Sequence, residues 1–165
     1  MSTVNIIEIR GLARSFRKGI ERAVESGNIS SRTTKSTMPY FPKGCCEVAS
    51  DLLAQYLLEN GIHTKSVHGE YDYDDWENKY PHTWLETEGG VIVDITADQF
   101  ARNKVFTSFD LMPCYVGTDR SFYSLFTEDY REEVFHGLSS CDGDFYRQNI
   151  IPLYDVILSH MEPRQ

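Results

Sequence analysis

The stretch Phe41-Pro42-Lys43-Gly44-Cys45-Cys46-Glu47-Val48-Ala49-Ser50-Asp51-Leu52-Leu53-Ala54-Gln55-Tyr56-Leu57-Leu58-Glu59-Asn60-Gly61-Ile62 decides how the rest of the chain is read. Pro42 and Gly44 end whatever precedes them. Beyond them Val48, Ala49, Leu52, Leu53, Tyr56 and Leu57 recur at the helical period and form one apolar stripe. Asn60-Gly61 is a stop, because glycine accepts the left-handed conformation that closes a helix. Cys46 falls at the start of this helix. A helix N-terminus carries partial positive charge and unpaired N–H groups, which favour a thiolate. The backbone N–H of Cys46 is the candidate donor to an oxyanion. Cys45 projects into the middle of the stripe and suits the core, whereas Cys46 projects towards its edge.

A chain of 165 residues has interior enough for one core, so a single domain over 1–165 is expected. The net charge of −9 argues against nucleic acid as the main partner, since phosphate binding needs clustered Lys and Arg. No apolar run is long enough to span a membrane, and the N-terminus lacks the apolar core of a signal peptide. The 4 cysteines have no regular spacing, and adjacent Cys45 and Cys46 are poorly placed to bridge each other. Reduced thiols and a cytoplasmic location are therefore expected.

Working outward, residues 5–26 predict a helix with Ile6, Ile9, Leu12, Ala13, Phe16, Ile20, Ala23 and Val24 facing the core. Arg10, Arg14, Arg17, Lys18 and Arg22 lie mostly off that stripe. They are expected to form a solvated face, with a surface for an acidic partner as the competing reading. Residues 28–40, rich in Ser and Thr, predict a loop. Residues 64–69 predict a strand, followed by the acidic, aromatic run Glu70-Tyr71-Asp72-Tyr73-Asp74-Asp75-Trp76-Glu77. That run suits a solvated loop, or a lip selecting basic or polar groups; it lacks the glycine and terminal Glu of a calcium loop. After Thr96 the signals weaken. Residues 106–116 predict one or two strands interrupted by Pro113, 122–138 one or two helices, and 144–160 a C-terminal helix broken near Pro152.

Residues 81–87 and 91–96 predict two strands joined by Glu88-Gly89-Gly90. A three-residue loop sets Thr87 opposite Val91, and hence His82 opposite Thr96, on the same face as Asp94. A two-residue loop would turn Asp94 to the other face, because side-chain direction alternates along a strand.

Cys46, His82 and Asp94 form a constellation with a defined chemistry. A thiolate attacks a carbonyl and forms a thioester. An imidazole draws off the thiol proton and returns a proton to the leaving group. A carboxylate holds the imidazole in the right tautomer and supports its charge. The competing readings are a non-catalytic binding module and a metal protein using Cys45, Cys46, His68, His82 and Asp94. Neighbouring cysteines do not suit tetrahedral zinc, and no Cys-x-x-Cys is present. No cofactor and no metal are expected.

The chain resembles the transglutaminase-like core of the papain-like cysteine protease superfamily over residues 44–96. That family has Gly-x-Cys at a helix start, Gly-Ile about fifteen residues on, a His-Ala-Trp-Val-Glu strand and an Asp-Pro-Thr strand. Gly44-Cys45-Cys46, Gly61-Ile62, His82-Thr83-Trp84-Leu85-Glu86 and Asp94-Ile95-Thr96 stand at these places. Thr83 replaces the usual alanine and Ile95 the usual proline. The resemblance implies an α+β fold, a nucleophile helix packed on an antiparallel sheet, with flanking N- and C-terminal helices. It also implies a triad of Cys46, His82 and Asp94. The expected activity is hydrolysis of a peptide, protein or small amide, with acyl transfer to an amine as the alternative. No residue beyond the triad is assigned to the substrate.

Overall fold

The computed structural model describes residues 5–27, 38, 40–72, 79–141 and 143–163. It is an α+β structure. Helix α1, Ile6–Ser26, starts where the Asn5 side chain accepts the Ile7 N–H and stops at Gly27, whose φ is 64°. Ile9, Ala13, Phe16, Ile20 and Ala23 form its buried face. Helix α2, Cys46–Glu59, ends in a Schellman motif: Ile62 N–H donates to Leu57 O at 2.9 Å and Gly61 N–H to Leu58 O at 2.9 Å. Gly61 sits at φ 76° there, which is why the stop needs glycine.

Five strands form one antiparallel sheet: β1 (Thr64–Asp72), β2 (Lys79–Thr87), β3 (Ile92–Asp94), β4 (Tyr115–Gly117) and β5 (Thr127–Arg131), in the order β4-β3-β2-β1-β5. The β2–β3 register is that of the three-residue loop. Leu85 faces Val93, Glu86 faces Ile92, and Thr87 N–H reaches Val91 O at 2.9 Å.

The sheet divides two cores. Leu85 and Val93 point to one face, where Phe16, Leu52, Leu53 and Leu57 of α1 and α2 cover them, with Leu153 and Ile157 of α3 (Ile151–Ser159). Trp84 and Ile92 point to the other, against an aromatic layer of Phe100, Phe106, Phe122, Tyr123 and Phe126. The alternation of β2 and β3 thus serves two apolar surfaces at once.

Three expectations differ from the structure. Residues 122–138 form no α-helix: a short 3₁₀ turn at Tyr123–Leu125 leads into β5. Every residue of β5 is exposed, so the strand has no apolar alternation to display; its cause is the free edge of β1, with which it pairs. Of residues 106–116, only Tyr115 and Val116 enter a strand, β4. The C-terminal helix continues through Pro152 instead of breaking. A π turn at Tyr146–Ile150 precedes it, with Ile151 N–H bonded to Tyr146 O. Proline has no N–H for the carbonyl four residues back, and the wider turn absorbs the loss.

Arg17 also departs from the solvated face expected of it. It is 6% exposed and donates to Ile95 O (2.6 Å), Pro113 O (3.3 Å) and both oxygens of Asp98 (2.8 Å each). Its guanidinium also lies over the Phe41 ring, 4.6 Å from the centroid. Arg17 therefore ties the exit of β3 and the entrance of α2 to one helix. The loop predicted at 28–40 and most of the acidic run after Tyr71 lie outside the described residues.

Candidate active site

Strand β3 is short, and that opens the site. It pairs with β2 at Leu85 and Glu86, then turns away, and among the described residues no strand pairs with the first half of β2 on that side. The first turn of α2 takes the vacant place. Ser50 Oγ donates to Thr83 O at 3.4 Å, and the Cys46 sulfur takes the Thr83 N–H. Cys46 and Ser50 are one helical turn apart, so one face of α2 meets both backbone groups of one residue.

His82 and Asp94 come from the aromatic face of the sheet. The His82 Nε2–H donates to Asp94 Oδ2 at 2.7 Å. Asp94 is filled on every side: Tyr123 OH donates to Oδ2 at 3.0 Å, and Thr96 N–H and Oγ1 donate to Oδ1 at 2.9 and 3.3 Å. A buried carboxylate needs such partners. Trp84, Phe100, Phe122, Tyr123 and Phe126 wall in the His82 ring, with centroids 5.2–6.4 Å away. With Nε2 committed to Asp94, Nδ1 is the nitrogen left for the thiol, and His82 hydrogen-bonds the Cys46 side chain.

The electrostatics follow from this packing. Burial pushes the Cys46 thiol up, but the hydrogen bond and charge of His82, with the Thr83 N–H, outweigh it and hold the thiol below its ordinary range. Burial pulls His82 down, but the Asp94 carboxylate outweighs it and raises the imidazole to about 9. Asp94 is held low against its burial by His82. The arrangement favours a thiolate–imidazolium pair. Cys45 is the opposite case: its side chain is in the core and its thiol is pushed up to about 11, first by burial and then by Cys46.

An open cleft of about 1020 Å³ reaches this centre. Lys43, Gly44, Cys46 and Glu47 line it at the mouth of α2, with Tyr80 to Thr83 of β2, His68 and Gly69 of β1, and Asp129 and Tyr130 of β5. Gln99, Phe100 and Arg102 line it from the segment after β3. Among the described residues no three His, Cys, Asp or Glu side chains converge as a metal site would need. His68 lines the cleft but is engaged apart from Cys46, His82 and Asp94, with Nδ1 2.9 Å from Thr83 Oγ1 and its ring stacked on Tyr130.

Several contributors were not legible in the sequence. Tyr123 lies 29 residues beyond Asp94, in a stretch without periodicity. Thr83 contributes its backbone. Gln99 follows β3 and lines the cleft, with its Nε2 3.2 Å from His82 Nδ1 and its Oε1 accepting the Gly44 N–H at 3.4 Å, contacts that its place in the sequence does not reveal. Compared with known proteins, the chain matches no family model, no curated protein and no solved structure.

Proposed function

We propose that this chain is a cysteine-dependent amide hydrolase of transglutaminase-like, papain-like type, acting through a thioester on a peptide, protein or small amide. The observation that carries the reading is one hydrogen-bonded chain, from Asp94 through His82 to Cys46, made of residues 36 and 48 positions from the first to the last two of its members along the sequence. A binding module has no use for such a chain, with its thiol open to a cleft and its carboxylate sealed inside.

The chemistry runs on these residues. The Cys46 proton moves to His82 Nδ1, and the sulfur attacks the substrate carbonyl carbon. The carbonyl π electrons move to oxygen. Cys46 is the first residue of α2, so its N–H has no partner within the helix and suits that oxyanion. The oxyanion collapses, the C–N bond breaks, and the amine leaves with the proton from Nδ1. Water then attacks the thioester while His82 takes its proton, and the Cys46 sulfur departs as the acid product forms. An amine in place of water would give acyl transfer; hydrolysis is preferred because water needs no second binding site.

The test is alkylation by iodoacetamide across pH, with the modified cysteine located by peptide mass. Cys46 should react well below the ~8.5 pKa of a free thiol, and Cys46→Ala should abolish both this and acylation by p-nitrophenyl acetate. Reaction of Cys46 only at alkaline pH sinks the proposal.

A further inference from the structure

We propose that Lys43, Arg102 and Lys104 determine specificity, and that the substrate carries a carboxylate on the side of its reacting amide that faces them. This names a substrate class for the hydrolase reading above and rests on it.

The cleft is divided by charge. The sheet order puts β3 on one flank of β2, which bears His82, and β1 with β5 on the other. The segment after β3 brings Arg102 and Lys104 to the first flank. Lys43 joins them there, because Gly44 beside it gives its N–H to Gln99 Oε1 at 3.4 Å. Among the described residues no carboxylate lines that flank. Glu47 and Asp129 line the second, with no Lys or Arg among the described residues beside them. Burial, then the charges of Glu132, Glu47, Asp51 and Asp129, raises the Tyr130 hydroxyl, which places Glu47 on the β5 side.

The basic flank lacks counter-charges. Lys43, Arg102 and Lys104 are exposed, and no carboxylate among the described residues forms an ion pair with them. Asp98, the carboxylate nearest to Arg102 along the chain, turns both oxygens to Arg17. Soluble surfaces intersperse the two signs of charge. In a chain of net charge −9, an all-cationic wall of the catalytic cleft is a field that collects anions. The Arg102 fork matches the two oxygens of a carboxylate, and the lysines add charge without direction. Asn103 supplies a neutral donor: its Oδ1 accepts the Val105 N–H at 3.0 Å, which leaves its NH₂ to donate. A peptide, protein or small amide offers such an anion as an acidic side chain or a terminal carboxylate. Glu47 and Asp129 repel the same group from the opposite flank, so a carboxylate has one favourable direction across Cys46.

Two pairs of esters read that direction. In each, the Cys46 sulfur takes the acyl group and the phenolate leaves. The acyl arm compares p-nitrophenyl hydrogen glutarate with p-nitrophenyl pentanoate. The leaving-group arm compares 4-acetoxybenzoate with its methyl ester. Acylation is followed by intact mass, and each rate is divided by that of a small free thiol. One arm should favour the anion about tenfold and the other should disfavour it, because only one side of the carbonyl faces the basic flank. With Lys43→Gln, Arg102→Gln and Lys104→Gln combined, and folding checked by thermal melt, the favoured ratio should fall to about one. In wild type the ratio should fall as salt rises from about 0.02 to about 0.5 M, a readout of the same charges that needs no variant. If the leaving-group arm is the favoured one, peptides with free and amidated C-termini separate a terminal carboxylate from an acidic side chain. A Cys46 that acylates without preference overturns this inference alone, as does a preference that survives the triple variant or is independent of salt. A wild-type Cys46 that neither alkylates below ordinary thiol pH nor acylates overturns the hydrolase reading itself, and this inference with it.

Discussion

In Asp94→Asn the carboxylate loses its charge and keeps its shape. The structure dictates how the amide must sit. Oδ1 accepts the Thr96 backbone N–H at 2.9 Å, a donor that cannot turn round, so the carboxamide oxygen stays there. The new NH₂ then faces His82 Nε2, where Asp94 Oδ2 stood at 2.7 Å. The imidazole must accept at Nε2 and carry its proton on Nδ1, the nitrogen that has to receive the thiol proton. The tautomer is wrong for catalysis. The charge effect adds to this. His82 is held at about 9, against 6.5 for an ordinary histidine, and Asp94 is the main group raising it. Without that carboxylate the burial of His82 is no longer offset by its main opposing group, and the ion-paired population shrinks. With the wrong tautomer added, acylation by p-nitrophenyl acetate at pH 7 should fall by roughly 10³–10⁴-fold. The alkylation profile of Cys46 should move up to or beyond the ~8.5 of a free thiol, since burial is no longer offset. The assay is the pH dependence of iodoacetamide labelling of both proteins, with thermal melts to show that the variant is folded. A folded Asp94→Asn with the wild-type profile would refute the argument and leave Asp94 a structural residue of β3.

The remaining predictions concern the neighbours of the triad. Cys45→Ala removes a sulfur from the core and should cost about 1 kcal/mol in denaturant unfolding, with the alkylation of Cys46 unchanged; a lost Cys46 reaction would mean that the wrong thiol has been chosen. Glu86, in the β2 motif, accepts from Arg120, Arg131 and Trp84, and these hold it at about 2 against its burial, below an ordinary 4.5. Its contribution is present above pH 4.5 and is lost as pH falls through about 2. Both arginines reach solvent, so wild type should lose only about 1 kcal/mol more than Glu86→Gln between pH 6 and pH 3; equal losses would mean that the cluster is neutral to stability. Arg17→Met leaves the Asp98 carboxylate unpaired and should cost about 3 kcal/mol. It should also slow acylation, because the turn bearing Gln99 and the Phe41 loop both lose their tie; an equally stable, equally active variant would show that Arg17 holds neither. Ala at Gly69 would bring a Cβ within 2.9 Å of Phe126 Cβ and 3.2 Å of Thr127 O at the cleft edge, so Gly69→Ala should destabilise by about 1–3 kcal/mol in the same assay.

What could be read in the sequence is what local chemistry fixes. The α2 stripe and its Asn60-Gly61 stop, the α1 face, and the β2–β3 loop each depend on residues within a few positions of one another. Register followed from loop length alone, and register is what sets His82 and Asp94 on one face. The residues that missed are held by distant partners. Nothing near Thr127 to Arg131 marks a strand, because β1 supplies the reason for it. Arg17 looked like one basic residue among five, and its burial depends on Asp98, 81 residues away. Tyr123 and the aromatic layer have no period, since side chains from 3₁₀ turns converge on the sheet from several directions.

The site exists because two layers meet where a strand is missing. His82 and Asp94 lie on the aromatic face of the sheet, and α2 packs on the opposite face, so the sheet should separate thiol from imidazole. It does not, because β3 ends at Asp94. Two interactions turn the chain, one local and one from α1. Asp94 Oδ1 takes the Thr96 N–H and bends the chain, and Arg17 draws Ile95 O, at 2.6 Å, away from β2. Thr83 N–H, the group a longer β3 would have claimed, is left for the sulfur of Cys46. The carboxylate bonded to the histidine therefore also ends the strand, and so opens the gap through which the Cys46 thiol arrives. Restoring the missing pairing should close that gap: a chain that kept β3 extended past Thr96 would satisfy Thr83 from the backbone, and Cys46 would lose both its hydrogen-bond donor and its path to His82.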